Sequence, residues 1–392
     1  MVIVGGARQK TGKTTLVKAF AASTSGVEYR TLDDAKHLAM AKNDPASFIS
    51  HEGALMIIDE IQRAPDVILA IKMAVDSNSR QGQFLLTGSA DVRTMPTVTE
   101  SLAGRVRHLR LCSLTQGEIL WNPPRFLGDI YTGNFQNIHR EIPGQELVKI
   151  ALRGGFPEPI NFSEKERMIW HRDYINSLLD RDLKDFANIR RREAMANLLR
   201  TVAGWSSKLI NFDAVASGLG ITATTVQSYL SMLQMLYVID RLPPWTATDY
   251  QRVNKTDKLF ISDTGLMASL LGWGFRDVQL DADRIGKLVE TMVFNALSAQ
   301  IYASENPYCL YHYRDHSGHE IDFILDDHGE HLVGIEVKSG TKVCKDDAKN
   351  LYWFSKNITK NRTFIGVVLY SGEHSFSLGE NIRAVPLQCL WA

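Results

Sequence analysis

The sequence lacks an excess of either charge, which removes one common indicator of function. Its 392 residues include 44 Lys and Arg and 44 Asp and Glu, so the formal net charge is zero when His is neutral. Proteins that attract polyanions through their overall charge carry a clear basic excess. A nucleic-acid partner can therefore be argued only from local clusters of basic residues. The length allows about two or three domains, each with its own buried core.

Cysteine is scarce, and long apolar runs are absent. The four cysteines are widely separated and lack the short spacings of zinc-binding motifs, so we expect reduced thiols. No apolar run is long enough to cross a bilayer, and the chain does not open with a signal peptide. These absences predict a cytoplasmic protein with no membrane partner. The first predicted strand begins at residue 2, as it would after a truncated or misassigned start.

What the sequence does contain begins with MVIVGGARQKTGKTTLVKAF, which predicts a strand, a phosphate-binding loop and a helix. In such a loop, backbone N–H groups and a helix N-terminus bind the phosphates of a nucleotide. Lys13 is expected to reach the β- and γ-phosphates of ATP, and the Thr14 hydroxyl to hold Mg²⁺. Gly6, Gly12 and Thr15 are the further candidate nucleotide-binding residues. The alternative is a chance turn rich in Gly, Lys and Thr.

The glycine spacing departs from that of the motif. Four residues normally separate the two glycines, whereas five separate Gly6 from Gly12, and counting back correctly from Gly12 leads to Ala7. Glycine is favoured at the first position because the tight turn there often needs a positive φ. Either the loop is one residue longer, or Ala7 stands in for the glycine.

A second motif, GALMIIDEIQRAPD, predicts a buried strand that ends in Asp59 and Glu60. In open α/β sheets, ligands bind at the carboxyl ends of the strands. Asp59 is expected to help hold Mg²⁺, and Glu60 to polarise the water that attacks the γ-phosphate. An acidic helix cap after a strand is the alternative.

Two weaker signals follow within residues 1–120. QFLLTGSA predicts another buried strand, at whose end Thr87 or Ser89 could sense the γ-phosphate or orient water, although a plain turn explains the pattern equally well. Arg105 follows Gly104 in a loop. It could act as an arginine finger on a neighbouring subunit of a homo-oligomer, or it could be a surface residue that fixes the loop.

Residues 121–275 predict a helical linker followed by a winged helix-turn-helix. A Pro-Pro pair in WNPPRF marks the linker, and GGFPEP is a turn. Further on, Asp213 is expected to start one helix, and Thr222 to cap the second. KLFISDTGLMASLLG then predicts a buried strand and a structural helix capped by Asp263 or Thr264.

The second of these helices is poorly equipped to read DNA. Residues 222–236 contain no Lys or Arg, whereas a recognition helix normally brings basic and amide groups to phosphates and base edges. Basic residues elsewhere could contact phosphates without reading sequence: Arg190, Arg191, Arg192, Arg252, Lys255 and Lys258. We expect either DNA binding of low specificity or a structural or partner-binding module.

Residues 276–392 carry the second candidate site. Their predicted order is helix, three strands, helix and strand. Strand alternation in HEIDFIL puts Ile321 on one face with Phe323 and Leu325, and puts Glu320 and Asp322 on the other.

In the next strand, LVGIEVKS, the alternation leaves Glu336 and Lys338 opposite the core side chains. A hairpin centred on Gly329 would set Asp322 opposite Glu336. Two carboxylates that face each other repel unless a cation or a proton lies between them.

These residues suit a Mg²⁺ site. Asp322, Glu336 and the Val337 carbonyl are candidate ligands, and Glu290 on the preceding helix is a further one. Lys338 could stabilise or help deprotonate a water that attacks a phosphodiester. A salt-bridged sheet face without catalysis is the alternative. Five histidines are expected in solvated loops rather than in zinc sites: His312, His316, His319, His328 and His331.

Taken together, GARQ..GKTTL, LMIIDEIQRAP, FLLTGS, ESLAGRV and GGFPEP resemble a group of prokaryotic AAA-type ATPases with a C-terminal domain of nuclease-like fold. The loop of that family usually has four intervening residues, so Lys10-Thr11 is a departure. The D…ExK pattern resembles the PD-(D/E)XK nuclease superfamily, whose fold is restriction-endonuclease-like.

The resemblance implies an α/β protein with three domains. These are a parallel-sheet P-loop domain (1–120), a helical and winged-helix middle (121–275) and a mixed α/β nuclease-like domain (276–392). It implies binding and hydrolysis of ATP with Mg²⁺, coupled to a domain that cuts or binds nucleic acid. The alternative is a nucleotide-binding switch whose nuclease-like domain is a non-catalytic DNA- or protein-binding module.

Overall fold

The computed structural model describes residues 2–7, 10–78, 80–88, 104–135, 142–182, 189–247, 256–359 and 362–391, without the side chains of 2–7, 181–182 and 189–192. Ser89, Arg252 and Lys255 lie outside the described residues, as do the side chains of Arg190, Arg191 and Arg192. The chain divides into two compact units, Met1–Cys112 with Met235–Tyr237 and Ser113–Gln234 with Val238–Ala392. None of the helices in the described part of the chain is both long and apolar enough to cross a membrane.

The first unit is built on a five-stranded parallel sheet with the order β2-β3-β4-β1-β5. Its strands are β1 (Val2–Ala7), β2 (Val27–Thr31), β3 (Leu55–Asp59), β4 (Phe84–Gly88) and β5 (Val106–Leu111). Its helices are α1 (Lys13–Ser23), α2 (Ala35–Asn43), α3 (Pro45–Ile49) and α4 (Val67–Ser77). The predicted parallel α/β sheet is confirmed.

The core of this unit explains why β3 reads as a continuous apolar run. Met56 and Ile58 are fully buried and pack with Phe84 of β4. Helix α4 presents its Val67, Ile68, Ile71 and Val75 stripe to the same core, which is the spacing of an amphipathic helix. A strand covered on both faces needs apolar residues at every position. This burial brings the polar residue at the end of β3 to the carboxyl edge of the sheet.

The first half of the second unit is mostly helical, as predicted. Its helices are α5 (Gln116–Ile119), α6 (Phe126–Thr132), α7 (Gly144–Arg153), α8 (Glu164–Asp182), α9 (Ile189–Gly204), α10 (Phe212–Leu219), α11 (Ala223–Met235), α12 (Thr264–Leu271) and α13 (Phe275–Val278). A small antiparallel sheet with the order β6-β8-β7 accompanies α10 and α11. Its strands are β6 (Lys208–Leu209), β7 (Ile239–Leu242) and β8 (Lys258–Ile261).

The caps of α10 and α11 differ in one detail from the prediction. The predicted start at Asp213 is wrong by one residue, because α10 begins at Phe212, where the Asn211 side chain accepts a hydrogen bond from the Ala214 N–H and caps the helix. Gly220 ends that helix with φ at 64°. As predicted, the Thr222 hydroxyl accepts a hydrogen bond from the Thr225 N–H at the start of α11. Two helices followed by a small sheet agree with a winged helix-turn-helix, which stays a prediction.

The GGFPEP segment is a tightly packed junction. Gly154 ends α7 with φ at 69°, and the Gly155 N–H donates to Asp263 Oδ2 at 2.8 Å. Asp263 Oδ1 also accepts a hydrogen bond from the Leu266 N–H and caps α12. The predicted cap at Asp263 is confirmed, and the same carboxylate ties two distant segments together.

The second half of this unit is a six-stranded mixed sheet with the order β13-β14-β12-β11-β10-β9. Its strands are β9 (Cys309–Arg314), β10 (Glu320–Asp326), β11 (His331–Val337), β12 (Thr363–Tyr370), β13 (Phe376–Gly379) and β14 (Ile382–Pro386). Helix α14 (Ala282–Ala303) precedes β9, and α15 (Lys349–Asn357) joins the parallel strands β11 and β12. The predicted order of helix, three strands, helix and strand is confirmed.

Each face of this sheet has its own apolar core. The α14-side core includes Val293, Phe294, Phe323, Val333 and Ile335. The α15-side core includes Ile321, Ile324, Leu351, Phe354 and Phe364.

The predicted alternation along β10 is therefore wrong at Ile321, which packs with Ile324 and not with Phe323. The cause is a β-bulge. Ile321 pairs with Tyr313 and Ile324 with Tyr311, so β10 carries one more residue than β9 between these pairs. An extra residue turns the chain locally and resets which face the next side chain occupies.

The segment after β7 packs on the six-stranded sheet. Trp245 N–H donates to the His312 carbonyl at 2.6 Å, and the Trp245 indole N–H donates to Asp326 Oδ2 at 3.2 Å. Pro244 also forms a bridge with His312. The boundary predicted near residue 275 thus lies inside one compact unit.

Candidate functional sites

The first candidate site lies at the carboxyl edge of the parallel sheet, where β1 leads into α1. Strand β1 continues through both Gly6 and Ala7, which pair with Arg110 and Leu111 of β5. Strand β1 therefore extends to Ala7, the residue that a count back from Gly12 puts at the first position of the motif. Gly12 precedes α1 with φ at 90°, a conformation that favours glycine. Whether the loop is one residue longer or Ala7 stands in for the glycine stays a prediction.

Lys13 is the first residue of α1 and is buried. Thr14 is the next residue, and its hydroxyl donates to Asp59 Oδ2 at 2.8 Å. Thr15 is exposed on the first turn of the same helix. The sequence therefore places a lysine and two hydroxyls at a helix N-terminus, where backbone N–H groups are available to an anion.

Asp59 is the centre of a hydroxyl cluster. Its side chain is almost fully buried and accepts hydrogen bonds from Thr14, from the Tyr29 hydroxyl at 2.9 Å and from Thr87. Burial, together with the charge of Asp59, raises the pKa of Tyr29 well above its ordinary value. Tyr29 was missed in the sequence analysis, because its place beside Asp59 depends on the pairing of β2 with β3.

Glu60 and Arg105 also lie in this unit. Glu60 has φ at 63°, an unusual conformation for a residue other than glycine, and its carboxylate accepts a hydrogen bond from the Gln62 side chain. Arg105 Nε lies 2.6 Å from Asp76 Oδ1 at the end of α4. That ion pair matches the interpretation of Arg105 as a residue that fixes its loop.

The second candidate site is a cavity of about 540 Å³ in the second unit. The predicted residues Glu290, Asp322, Glu336 and Lys338 all line it. Phe323 pairs with Ile335 and Asp326 with Leu332 in the antiparallel ladder, which is the register of a hairpin centred on Gly329. The predicted hairpin register is confirmed.

A lysine from the middle of the chain enters this acidic cluster. Lys258 Nζ lies 2.8 Å from Glu290 Oε1, 3.3 Å from Glu320 Oε1 and 3.4 Å from Asp322 Oδ1. Its side chain is only 2% exposed, so the prediction that Lys258 could contact phosphates at the surface is wrong. Burial acts to lower the pKa of Lys258, but the surrounding carboxylates raise it above its ordinary value.

The position of Lys258 follows from the strand that carries it. Two residues further along β8, Phe260 stacks on Phe294 of α14 with ring centroids 4.1 Å apart. Side chains two apart on a strand share a face, so Lys258 also points towards α14 and its Glu290. In the sequence, the lysine that starts the otherwise apolar KLFI strand could have indicated a buried ion pair.

The carboxylates of this cluster are held in different ways. Asp322 Oδ2 accepts the Val337 N–H at 2.9 Å, so the N–H of Val337, and not its carbonyl, contacts Asp322. Burial and the nearby charge of Asp322 raise the pKa of Glu290 to about 7 and raise that of Glu336 well above its ordinary value. Glu336 Oε1 is buried and has no hydrogen-bond partner among the residues that the structure describes. Lys338 Nζ lies 3.6 Å from Glu336 Oε2.

Two observations bear on metal binding. Among the described residues, no group of three or more His, Cys, Asp or Glu side chains is arranged to hold a metal ion. The predicted histidines are dispersed, and the expectation of a solvated loop is wrong for His312, which is buried in β9 and lies with Nε2 3.1 Å from the Thr256 carbonyl. His319 and His331 instead pair with Asp315 and Asp327.

Family models match three separate parts of the chain. The model described as AAA domain matches residues 1–120. Domain of unknown function (DUF8612) matches residues 144–277, and Domain of unknown function (DUF4143) matches residues 285–390. The first match supports the prediction of an AAA-type P-loop domain at the N-terminus, while the predicted domain boundaries stay a prediction. The nuclease-like assignment of the C-terminal part stays a prediction.

Relatives cover nearly the whole chain. Uncharacterised proteins of Mycobacterium tuberculosis and Mycobacterium bovis are each 28% identical over 389 residues, which is 98% of this chain and 80% of theirs. Among solved structures, a variant of Thermotoga maritima RuvB is 17% identical and covers 64% of this chain and 86% of its own, with a TM-score of 0.28. Protein VC1899 from Vibrio cholerae is 11% identical over 100% of this chain and 95% of its own, with a TM-score of 0.18. Scores this low support no inference about the fold.

Proposed function

We propose that the protein binds ATP with Mg²⁺ through its first unit and hydrolyses it. The observation that carries this proposal is the hydrogen bond from Thr14 at the N-terminus of α1 to Asp59 at the end of β3. It joins a hydroxyl at the start of α1 to the carboxylate at the end of β3. This is the edge of the sheet where open α/β proteins bind ligands. The match of residues 1–120 to the AAA domain supports the same function.

The donor set of this site fits a magnesium ion. Mg²⁺ prefers hard oxygen ligands, usually one or two protein oxygens besides water and phosphate, and Thr14 and Asp59 supply a hydroxyl and a carboxylate 2.8 Å apart. We assign the binding of Mg²⁺ to these two residues. When bound, the ion would neutralise charge on the phosphates.

The remaining residues have separate roles in this proposal. Lys13 binds the β- and γ-phosphates, while Gly12 and Thr15 present backbone groups at the start of α1. Glu60 orients and polarises the attacking water, and Thr87 holds Asp59 in place through its hydrogen bond. Arg105 is the candidate arginine finger of a homo-oligomer. In that role its guanidinium group would have to leave the ion pair with Asp76.

The second unit supplies the second candidate function, action on nucleic acid. Asp322, Glu336 and Lys338 line one cavity, as the resemblance to PD-(D/E)XK nucleases implies. The residues present do not fit the Mg²⁺ of such an enzyme, because Lys258 already lies among the carboxylates that would bind it. This observation favours the alternative in which the nuclease-like domain is a non-catalytic module that binds DNA or protein, controlled by nucleotide in the first unit.

Nucleotide binding and turnover by the full chain test the proposal. We expect Mg²⁺-dependent ATP hydrolysis in the wild type, and a fall of at least about tenfold in Lys13→Ala, equivalent to about 1.4 kcal/mol of lost transition-state stabilisation. Lys36→Ala is the matched control, since Lys36 is an exposed lysine on α2 in the same unit. Equal turnover in the wild type and Lys13→Ala would refute the ATPase.

A nuclease assay on the same preparations separates the two candidates for the second unit. Cleavage of DNA or RNA that requires Mg²⁺ and disappears in Lys338→Ala would establish a nuclease. Binding without cleavage, unchanged by Lys338→Ala, is expected for the non-catalytic module.

A further inference from the structure

Lys258 is a deeply buried charge that the predicted chemistry does not use. Its ammonium group lies within 3.4 Å of carboxylate oxygens from Glu290, Glu320 and Asp322. These carboxylates come from α14 and β10, whereas Lys258 comes from β8 of the small sheet. A buried ammonium group is retained only where carboxylates surround it and supply its hydrogen bonds.

Several carboxylate oxygens around Lys258 already accept hydrogen bonds. Asp322 Oδ1 faces Lys258, and Asp322 Oδ2 accepts the Val337 N–H at 2.9 Å. Glu290 Oε1 is hydrogen-bonded to Lys258 at 2.8 Å. A magnesium ion needs several oxygens at about 2.1 Å in octahedral geometry. With the ammonium group among these oxygens, a divalent cation placed there would lie against a like charge, which disfavours its binding.

The surroundings of Glu336 Oε1 indicate that the carboxylates of the cluster can still attract positive charge. Glu336 Oε1 is buried in the cavity wall and has no hydrogen-bond partner in the described part of the chain, while its other oxygen lies 3.6 Å from Lys338. A buried polar atom without a partner is unfavourable. The carboxylates therefore retain an attraction for positive charge beyond what the two lysines satisfy.

We propose that Lys258 is the built-in cation of this cavity and that it excludes divalent metal ions from the cluster of Glu290, Asp322 and Glu336. Where a metal-dependent enzyme would bind Mg²⁺, this chain places its own ammonium group. Loss of Lys258 turns the cavity into a divalent-cation site. The inference concerns the second unit alone and does not depend on ATP hydrolysis in the first.

The first test compares Mn²⁺ binding by the nucleotide-free full chain and its Asp322→Asn variant, with free Mn²⁺ measured by electron paramagnetic resonance. Only binding that is lost in Asp322→Asn is assigned to the cavity. We expect the two titrations to coincide, because Lys258 occupies the site. A Mn²⁺ site in the wild type that Asp322→Asn removes would overturn the proposal, whatever the fate of any Lys258 variant.

The second test removes the lysine. In Lys258→Met, whose side chain has a similar length but no charge, we expect Mn²⁺ to bind at least tenfold more tightly than in the wild type. Adding Asp322→Asn should abolish that gain. Lys287→Met is the matched control, because Lys287 lines the same cavity but pairs with the exposed Asp283. Lys258→Arg keeps the charge and should bind no more Mn²⁺ than the wild type. A folded Lys258→Met that gains no Mn²⁺ affinity would contradict the proposal.

Discussion

The Thr14 hydroxyl donates a 2.8 Å hydrogen bond to Asp59 Oδ2 across 45 residues of sequence. The contact fixes the start of α1 against the end of β3. It holds together the two oxygens that we assign to Mg²⁺.

Thr14→Val should abolish the dependence of ATP binding on Mg²⁺. Valine keeps the shape of threonine but lacks the hydroxyl, so one protein ligand of the ion is lost. We expect ATP turnover to fall at least about tenfold, and the affinity for ATP to become the same with and without Mg²⁺. Isothermal titration in both conditions measures this. Thr14→Ser should retain the wild-type behaviour, and Thr24→Val, at the exposed end of α1, serves as the control.

Glu60→Gln should separate binding from hydrolysis. The amide keeps the size of the side chain but cannot polarise an attacking water, so we expect ATP affinity close to that of the wild type and turnover lower by about 10² or more, the scale on which general bases contribute. Nucleotide binding and phosphate release measured on one preparation give both quantities. Turnover unchanged by the substitution would remove Glu60 from the mechanism.

Asp326 should contribute to the stability of the second unit above acidic pH. Burial raises the pKa of Asp326, but hydrogen bonds from Arg362, His328 and Trp245 outweigh that effect and hold the pKa below its ordinary value of 3.8. A depressed pKa in the folded state means that the stabilisation is present above pH 3.8 and is lost as the pH falls through the folded pKa.

Urea unfolding as a function of pH measures this contribution. In Asp326→Asn we expect lower stability at neutral pH and a flatter decline below pH 3.8. Asp173→Asn, at an exposed position on α8, should leave the profile unchanged. A decline of equal slope in Asp326→Asn and the wild type would assign the acid sensitivity to other groups.

Gly154→Ala should destabilise the junction between α7 and α12. Gly154 has φ at +69°, and an added Cβ would lie 2.4 Å from Asp263 Oδ1 and 2.6 Å from the Gly265 nitrogen. Positive φ and overpacking together should cost about 2 kcal/mol or more. Gly218→Ala is the contrasting variant. It lies inside α10 with nothing within 4 Å of the new Cβ, and it should gain up to about 1 kcal/mol. Thermal unfolding of both variants distinguishes them.

The first site was largely predictable from sequence because its residues are local to strand ends. Lys13 and Thr14 follow β1, Asp59 ends β3 and Thr87 lies in β4, and parallel strands bring their carboxyl ends to one edge. Tyr29 was not predictable as a partner of Asp59, because the pairing of β2 with β3 depends on sheet order. Sheet order is set by tertiary packing, which periodicity does not encode.

The second site was predictable in its register but not in its charge balance. The hairpin centred on Gly329 was enough to bring Asp322 and Glu336 to one cavity, although the apolar alternation missed the bulge in β10. Lys258 arrives from a segment 32 residues before Glu290, through the stacking of Phe260 on Phe294. No local sequence pattern links a lysine in the small sheet to carboxylates on α14 and β10. The sequence therefore indicated a metal ion where the fold supplies the ammonium group of Lys258.

The bulge in β10 determines which side of the six-stranded sheet Asp322 faces. In a strand that alternated regularly back from Ile324, Asp322 would share the face of Ile324 and point into the apolar core beside α15. With the bulge, Asp322 instead meets Lys258 and lines the same cavity as Glu290. Regular alternation would therefore bury this carboxylate among apolar side chains, and the irregularity of the strand is what leaves it available to an ammonium group.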